Sequence, residues 1–400
     1  MFKKMLRSYD YSLIIAVILL SLFGLVMVYS ASEAMAVQRY GVSSDFFYQK
    51  QKFFMIIAFF VFVLTALFPY KALKNNKVLM VLVAGSISVL MVLDLFGHVA
   101  GGAKSWIKLG PISIEPSEFV KLCVIIYLSA VYAKKQTYIN EFNKGVVPPL
   151  IYLALVCFLI ASQPDFGTVE LILAFSTAII VSSGISFKNL FKLAGIALLV
   201  LIPMVIIFHN KIFTAKRMDR FSVMNDPFSA SQTSGYHLVN SYLAIGSGGI
   251  NGLGLGKSIE KLGYLPEPHT DFIIAVIAEE LGIWGVGFVI LSLAFIVLKG
   301  FRIATRCKDP FGSLLATGIS SMIGIQAFVN LAGVSGLLPL AGVPLPFVSY
   351  GGSSLIQLAI AVGILVNVSM FMNYEKKYKN NTQQNEKIKS HKKNVFYLRN

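Results

Sequence analysis

Ten long apolar stretches constrain this chain more than any other feature of its sequence. A helix needs about 20 apolar residues to cross the roughly 30 Å hydrocarbon core of a membrane. Charged residues make up only 14% of the 400-residue chain, whereas soluble proteins carry about 25%. The sequence therefore predicts an all-α, polytopic membrane protein with ten transmembrane helices. The predicted spans are 12–31, 53–70, 77–97, 117–133, 146–162, 166–186, 190–208, 271–298, 311–332 and 347–372.

The distribution of positive charge predicts the orientation of these spans. Ten spans place both termini on one side, and 23 of the 35 Lys and Arg residues fall on that side, against 11 on the other. Every short loop on the richer side is basic, which is typical of cytoplasmic loops. We therefore expect cytoplasmic termini, a membrane domain over residues 1–373 and a basic, disordered tail over 374–400 that is attracted to anionic lipids.

The longest segment outside the predicted helices is one large extracytoplasmic loop at about residues 209–270. Structureless loops beyond about 12–15 residues are usually functional or disordered. The stretch NGLGLGKS in this loop resembles a phosphate-binding loop, but Asn251 occupies the first glycine position and the loop faces away from cytosolic nucleotides. Nucleotide binding is therefore rejected. The glycine backbone, with Lys257 and Lys261 nearby, could still approach an anion closely.

Several ionisable residues lie at the edges of apolar spans. Glu118 and Lys121 are three residues apart and share a helix face, so they form either a structural ion pair or part of a polar cavity open to the outside. Asp165 is expected to cap a helix. Asp271 follows His269 and directly precedes the apolar run FIIAVIA. Partial desolvation there would raise its pKa toward that of a general base, although a helix-capping role is the alternative.

The region 326–354 combines proline, glycine and serine, including Ser349, where two helices should be joined. Irregular backbone at membrane depth is tolerated only inside protein or along a watery cavity. We therefore expect this outer loop to re-enter the bundle and to wall a site shared with the long loop. The three cysteines form no disulfide framework, and no Cys/His cluster has zinc spacing.

Five segments, taken in order, resemble the SEDS family (shape, elongation, division, sporulation), and they are most similar to its cell-division members. Two positions depart from the family pattern, because Glu115 and His237 stand where the family typically has glutamine. The resemblance covers most of the membrane domain. The matching segments are GAKSWIKLGPISIEPSEFVK from Gly102, QPDFGT from Gln163, KRMDRF from Lys216, GLGLGKS together with YLPEPHTDFIIAVIAEELG, and GLLPLAGVPLPFVSYGGSS from Gly336.

The resemblance implies a peptidoglycan glycosyltransferase that polymerises lipid II during cell division. Asp271 corresponds to the family's catalytic aspartate, which would deprotonate the GlcNAc 4-hydroxyl of the acceptor for an inverting attack on an undecaprenyl-pyrophosphate-linked donor. The departing pyrophosphate needs cationic or amide donors. No metal site or certain cofactor is expected, although a divalent cation could share that task. The candidate substrate-binding residues are Arg217, Arg220, Lys257, Lys261, Lys104, Glu118, Lys121, His269 and Ser349.

The resemblance also implies partners and a location. A class B penicillin-binding protein, which is a transpeptidase, and other divisome membrane proteins would assemble with the chain at the septum of a bacterial cell membrane, and no nucleic acid would be involved. Three other functions stay open. The ten spans and the broken helices also fit a lipid II flippase or transporter, the same motifs occur in elongation-type family members, and a structural scaffold for division is the third alternative.

Overall fold

A computed structural model describes residues 2–100, 103–110, 112–207, 214–233 and 235–379, so most of the predicted tail lies outside the described residues. A small antiparallel sheet, in the order β1-β2-β3, lies between α4 and α5, with strands His98–Ala100, Ala103–Leu109 and Ile112–Ile114. The described helices are α1 Phe2–Leu6, α2 Tyr11–Tyr40, α3 Phe46–Leu67, α4 Asn76–Phe96, α5 Pro116–Lys134, α6 Val147–Ser162, α7 Phe166–Ser182, α8 Phe187–Ile207, α9 Ala215–Asn225, α10 Tyr236–Gly248, α11 Ile273–Arg306, α12 Pro310–Val334 and α13 Gly352–Tyr374.

The predicted helical membrane fold is confirmed. Within the described ranges, eight helices are long and apolar enough to cross a membrane: α2 to α6, where α6 is extended by the turn from Phe142, and α11 to α13. The predicted spans 166–186 and 190–208 correspond to α7, a shorter apolar helix of 17 residues, and to α8, which has 21 residues. The count of ten spans stays a prediction.

The helices differ in how much of their surface is covered by protein. Most residues of α5, α12 and α13 are buried, whereas few residues of α3 and α4 are buried, as expected for helices that face lipid. Gly318 lets α12 approach its neighbours, because a Cβ there would lie 2.7 Å from side-chain atoms of both Ile125 on α5 and Ile179 on α7. The centre of the bundle is therefore close-packed around α12.

Polar contacts tie the helices together at the basic end of the bundle. The Tyr70 hydroxyl donates to Asp309 Oδ2 at 2.9 Å, and the Tyr70 backbone N–H donates to Asn367 Oδ1 at 2.9 Å. Lys299 Nζ of α11 lies 3.2 Å from Asp10 Oδ2, directly before α2. These contacts mark one boundary of the membrane-spanning part, which we expect to be the cytoplasmic one.

The segment between α12 and α13 re-enters the bundle, as the sequence predicts. A Cβ on Gly24 would lie 2.6 Å from Phe347 O and 2.7 Å from Val348 Cα. Gly24 lies about 20 Å along α2 from Tyr11, at 1.5 Å per residue, so the re-entrant backbone reaches well below the outer boundary. Phe347 itself has φ 65°, a strained backbone conformation for a residue other than glycine.

Helix α11 is broken near its outer end, at Gly282, where φ is 63° and ψ is −152°. Glycine adopts positive φ without the steric cost that a Cβ imposes. The glycine-rich segment of the long loop lies against this break, because a Cβ on Gly282 would lie 2.4 Å from Ile250 O. The break therefore creates the space in which the loop backbone packs directly against the helix.

Candidate active site at the outer end of the bundle

Asp271 lines a small cleft at the outer end of the bundle. Its side chain is half-buried, and a Cβ added to Gly342 would lie 3.7 Å from Asp271 Oδ2. Helix α11 begins at Ile273 and has Phe272 at its N-cap, without a capping side-chain hydrogen bond, so the helix-capping alternative for Asp271 is wrong. The other residues lining the cleft are Val329, Asn330, Gly333, Val334, Leu340, Ala341, Gly342 and Val343.

Side chains from α12 and from the re-entrant segment hold the backbone around Asp271 in place. The Asn330 amide donates one hydrogen bond to Asp271 O at 2.9 Å and another to Val343 O at 2.8 Å. Ser349 Oγ donates to Thr270 O at 2.6 Å and accepts from the Leu345 N–H at 2.9 Å. The re-entrant segment therefore forms one wall of the site, as expected, and fixes the backbone that carries the carboxylate.

Charged neighbours tune the protonation of Asp271. Burial and, to a smaller extent, the charge of Glu267 raise its pKa from the ordinary value of 3.8, the Arg220 guanidinium lowers it, and the net result is a pKa of about 6. Arg220 is held in the wall of the cleft, because its Nη1 donates to Leu340 O at 2.8 Å. A carboxylate with a pKa near 6 is ionised at neutral pH and is a stronger base than an ordinary aspartate, so it suits proton abstraction.

The depth of Asp271 can be measured along α12. Asn330, which holds the Asp271 backbone, lies about 30 Å from Pro310 at the basic end of that helix. The hydrocarbon core of a membrane is also about 30 Å thick. Asp271 therefore lies about one hydrocarbon thickness from the basic end of the bundle, which we expect to be the cytoplasmic end.

A second polar cluster lies at the outer ends of α5 and α7. Glu118 and Lys121 form a buried ion pair of 2.7 Å, and Glu118 Oε2 is buried without a hydrogen-bond partner among the described residues. Asp165 accepts from the Thr168 N–H at 3.2 Å, which confirms its predicted capping role. Burial, with Glu118 and Asp165 nearby, raises the pKa of Glu115 above its ordinary value of 4.5.

The cluster around Glu118 contacts the segments that form the walls of the Asp271 cleft. The Glu115 N–H donates to Ser353 Oγ at 3.0 Å, at the start of α13. A Cβ on Gly167 would lie 3.1 Å from Ala341 O, which belongs to the Asp271 cleft. Segments that are far apart in the sequence thus converge at one end of the molecule.

Two predicted substrate contacts are placed elsewhere by the fold. Lys261 is 3% exposed and forms a 2.7 Å ion pair with Glu280, which is fully buried, so it is not free to bind an exposed pyrophosphate. His269 is 2% exposed, and its ring packs against Phe47 and Tyr350 at 4.3 and 5.4 Å. Burial, with a smaller contribution from Arg39, lowers the pKa of His269 to about 4.

The remaining predicted residues are spread over the outer surface. Lys257 is exposed on the glycine-rich segment. Lys104 donates to the carbonyls of Asp94 and Leu95 at the end of α4, and its own N–H bonds to Gln163 O at 3.2 Å. Arg217 belongs to α9, but its side chain lies outside the described part of the structure.

The sequence reasoning missed the role of Asn330. The sequence does contain an indication of this role, because Asn330 is an amide in the outer half of an otherwise apolar span, where an unpaired polar group is costly. Among the described residues, no group of three or more His, Cys, Asp and Glu side chains is arranged to hold a metal ion.

The fold and the site together define a polytopic membrane protein with a carboxylate site at the end of the bundle opposite its basic end. The chain matches the FtsW/RodA/SpoVE family of cell cycle proteins over residues 10–374. It belongs to that family, and the SEDS resemblance is confirmed.

Curated relatives and solved structures agree with this assignment. The probable peptidoglycan glycosyltransferase FtsW of Bacillus subtilis strain 168 is 57% identical over 382 residues, which cover 95% of both chains. Stage V sporulation protein E of the same organism is 36% identical and covers 92% of this chain and 98% of its own.

Two solved structures share the fold. A chain of a peptidoglycan synthase complex, studied for its coordination of polymerisation and crosslinking, has a TM-score of 0.72 at 23% identity, covering 91% of this chain and 98% of that one. The rod shape determining protein RodA of Thermus thermophilus has a TM-score of 0.65 at 23% identity, covering 92% and 98%.

Proposed function

We propose that this chain is a peptidoglycan glycosyltransferase that polymerises lipid II during cell division, with Asp271 as its general base. The position of Asp271 supports the proposal, because a carboxylate with a pKa of about 6 lies in a cleft at the end of the bundle that we expect to face the outside of the cell. Lipid II presents its sugars at the outer boundary of the membrane. The naming of the Bacillus subtilis relative as a probable peptidoglycan glycosyltransferase supports the same reaction.

The proposed reaction is a single displacement. The Asp271 carboxylate accepts the proton of the acceptor's GlcNAc 4-hydroxyl while that oxygen forms a bond to the anomeric carbon of the donor. The bond from this carbon to the undecaprenyl pyrophosphate breaks, and the pyrophosphate leaves with the electron pair. The α-linkage of the donor becomes a β-1,4 bond, so the configuration inverts. Attack by a neutral hydroxyl requires a base within hydrogen-bonding reach, which is the part that Asp271 plays.

Positive charge near the cleft would stabilise the departing pyrophosphate. Arg220 is the best-placed candidate, because it is anchored in the wall of the cleft and its charge acts on Asp271. Lys257 remains a candidate on the outer surface, Arg217 remains a candidate from its position in the sequence, and Lys104 is a more distant candidate. Lys261 and His269 are not carried forward as substrate contacts. They stabilise the framework of the site through the buried contacts described above.

The experiment is polymerisation by purified protein given lipid II, with and without a class B penicillin-binding protein. Asp271→Asn should abolish glycan strands on a gel, because the amide cannot accept the proton. The matched control is Glu267→Gln, which changes a neighbouring carboxylate that is not the proposed base and should leave polymerisation intact. Full-length strands made by Asp271→Asn, at the folded yield of the unmodified protein, would exclude this mechanism.

One observation favours a second function, which is transport of lipid II across the membrane. Glu118 and Lys121 form a buried ion pair inside the bundle, and intramembrane charges frequently mark substrate pathways in transporters. The two functions separate by mutation. If the Asp271→Asn protein still polymerises lipid II but no longer moves lipid II across the membrane of vesicles that contain it, the transport function is favoured. A scaffold alone would support normal septal growth with the Asp271→Asn protein at normal abundance.

We assign the chain to division rather than elongation because its 57% identity is to a relative named FtsW. The proposed location is the division septum of a bacterial cell membrane, with both termini cytoplasmic. The proposed partners are a class B penicillin-binding protein and divisome membrane proteins. A fluorescent fusion of the chain should concentrate at mid-cell. Uniform distribution along the side wall would instead indicate the elongation role.

A further inference from the structure

The segment 250–264 of the long loop has an inverted distribution of polarity. Its six large apolar side chains are all exposed to between 39% and 66%, and they are Ile250, Leu253, Leu255, Ile259, Leu262 and Tyr264. The charged groups that it contacts are turned inward, because Glu279, Glu280 and Lys261 are each at most 3% exposed. A loop in water would show the opposite arrangement.

Three buried charged side chains beneath this segment, Lys261, Glu279 and Glu280, all have hydrogen-bond partners within the protein. Lys261 Nζ donates to Glu280 Oε1 at 2.7 Å and to Ser30 Oγ at 2.9 Å. Glu279 accepts from the Ser258 hydroxyl and from the Ile259 N–H, the latter at 2.8 Å. Most of the polar groups beneath the segment therefore pair inside the protein, although Glu260 Oε2 is buried without a partner among the described residues. The outward surface is mainly apolar, apart from Asn251 and Lys257.

The irregular backbone of the segment is paired as well. The Leu253 and Gly254 N–H groups each donate at 2.9 Å, to the carbonyls of Glu279 and Glu280 on α11. The Ile283 N–H donates to Ile250 O at 3.1 Å. Non-helical backbone at membrane depth must be satisfied in this way, because lipid offers no hydrogen bonds.

The depth of the segment in the membrane can be estimated by counting residues along α2 and α11 from the basic end of the bundle. Lys299 and Asp10 pair at the basic end of α11 and α2, and they mark the inner boundary. From there, Ser30 lies about 28 Å along α2, counted from Tyr11, and Ile283 lies about 24 Å along α11. A hydrocarbon core about 30 Å thick would therefore end at the level of this segment.

We propose that residues 250–264 form a ledge that is embedded in the outer leaflet of the membrane and is covered by lipid. The ledge is continuous with the lipid-facing surface of α11, because Ile250 is bonded to Ile283, and Ile283 and Trp284 are 60% and 72% exposed. The exposed Lys257 ammonium lies among these apolar side chains and reaches the lipid phosphates, while its stem lies in the apolar layer. The proposal does not depend on the role of Asp271.

The test uses tryptophan fluorescence of the purified protein in vesicles, with a low ratio of protein to lipid. Leu255→Trp is made in a chain that also carries Trp106→Phe and Trp284→Phe, so that it holds one tryptophan. Vesicles of brominated phosphatidylcholine quench tryptophans in lipid, and iodide quenches those in water. The Trp106→Phe chain retains only Trp284, which is the lipid-facing standard.

The matched control is Phe228→Trp in the same background. Phe228 is 64% exposed, and its ring lies 6.5 Å from that of Tyr242, whose hydroxyl donates to Ser335 O beyond the end of α12. Helix α12 is about 36 Å long from Pro310 to Val334, so this position lies above the hydrocarbon core. Iodide should quench Phe228→Trp, and brominated lipid should not.

The ledge predicts that brominated lipid quenches Leu255→Trp as strongly as it quenches Trp284, and that iodide has no effect. Quenching by iodide alone would show that the segment faces water and would overturn the proposal. Quenching by neither agent would show that protein, such as a second copy of the chain, covers the segment, and would overturn it too. Ile259→Trp, at a second exposed position on the ledge, gives the same comparison if Leu255→Trp does not fold.

Discussion

The protonation state of Asp271 should control the rate of glycan polymerisation. The proposed base must be ionised to accept a proton, and burial raises its pKa to about 6. At pH 7 about nine tenths of the carboxylates are then ionised, and at pH 5 slightly less than one tenth, so the rate should fall about tenfold between these values. An aspartate with its ordinary pKa of 3.8 would lose almost no activity over that range.

Two charged neighbours of Asp271 shift its pKa in opposite directions, so mutating each of them should shift the pH dependence of the rate in an opposite direction. Arg220 lowers the pKa of Asp271, so Arg220→Met should move the midpoint of the rate profile to higher pH. Glu267 raises that pKa, so Glu267→Gln should move the midpoint to lower pH. The two variants are matched, because each removes one charge near the same carboxylate.

The assay is the initial rate of lipid II polymerisation between pH 4.5 and 8, with thermal unfolding recorded at every pH to separate inactivation from unfolding. A profile that stays flat down to pH 4.5 in the folded protein would refute the assignment of Asp271 as a base with a raised pKa. Midpoints that move in the same direction in both variants would refute the electrostatic reasoning.

Three further predictions concern the framework of the site. Lys261→Met leaves Glu280 buried without its partner and should lower the free energy of unfolding by about 3–5 kcal/mol, measured by thermal unfolding in detergent. Gly24→Leu should destabilise the protein in the same assay by at least about 1–3 kcal/mol, because Phe347 O would lie 2.6 Å from the new Cβ. Gly342→Ala should cost about 1–2 kcal/mol for its φ of 69° and should also slow polymerisation, because the new methyl group lies beside Asp271.

Each of these predictions has a control within the chain. Lys257→Met removes an exposed lysine from the same loop and should change stability by less than about 0.5 kcal/mol. Gly85→Leu adds the same side chain on α4, where a Cβ meets nothing within 4 Å. Gly256→Ala carries a similar strain, with φ 82°, away from Asp271, and should not slow polymerisation. Equal effects in a variant and its control would contradict the corresponding argument.

The membrane helices follow directly from the sequence. Their predicted positions agree with the structure to within a few residues at many ends, but α2 continues to Tyr40 rather than 31, α3 begins at Phe46 rather than 53 and α11 continues to Arg306 rather than 298. In all three cases a stretch that contains polar or charged residues continues the helix beyond the predicted apolar span. Hydropathy measures the apolar part of a helix and carries no signal for such extensions.

The candidate site was only partly predictable. The sequence indicated Asp271 because a carboxylate next to an apolar run is unusual, and it indicated that the segment around Ser349 would form a wall. It also counted Lys261 among the cations of an outer loop. The structure instead joins Lys261 to Glu280, and Ser30, 250 positions earlier in the sequence than Glu280, completes that buried network.

The sequence by itself determined that this chain must cross a membrane, because too few of its residues are charged to cover a surface in water. It also determined the family, since five ordered segments carry that information without any coordinates. Tertiary structure alone decided which cations face the cleft and which are buried. It also decided that the glycine-rich loop exposes its large apolar side chains and buries Lys261. The physical reason is that burial of a charge depends on partners brought from distant positions, and local hydropathy contains nothing about those partners.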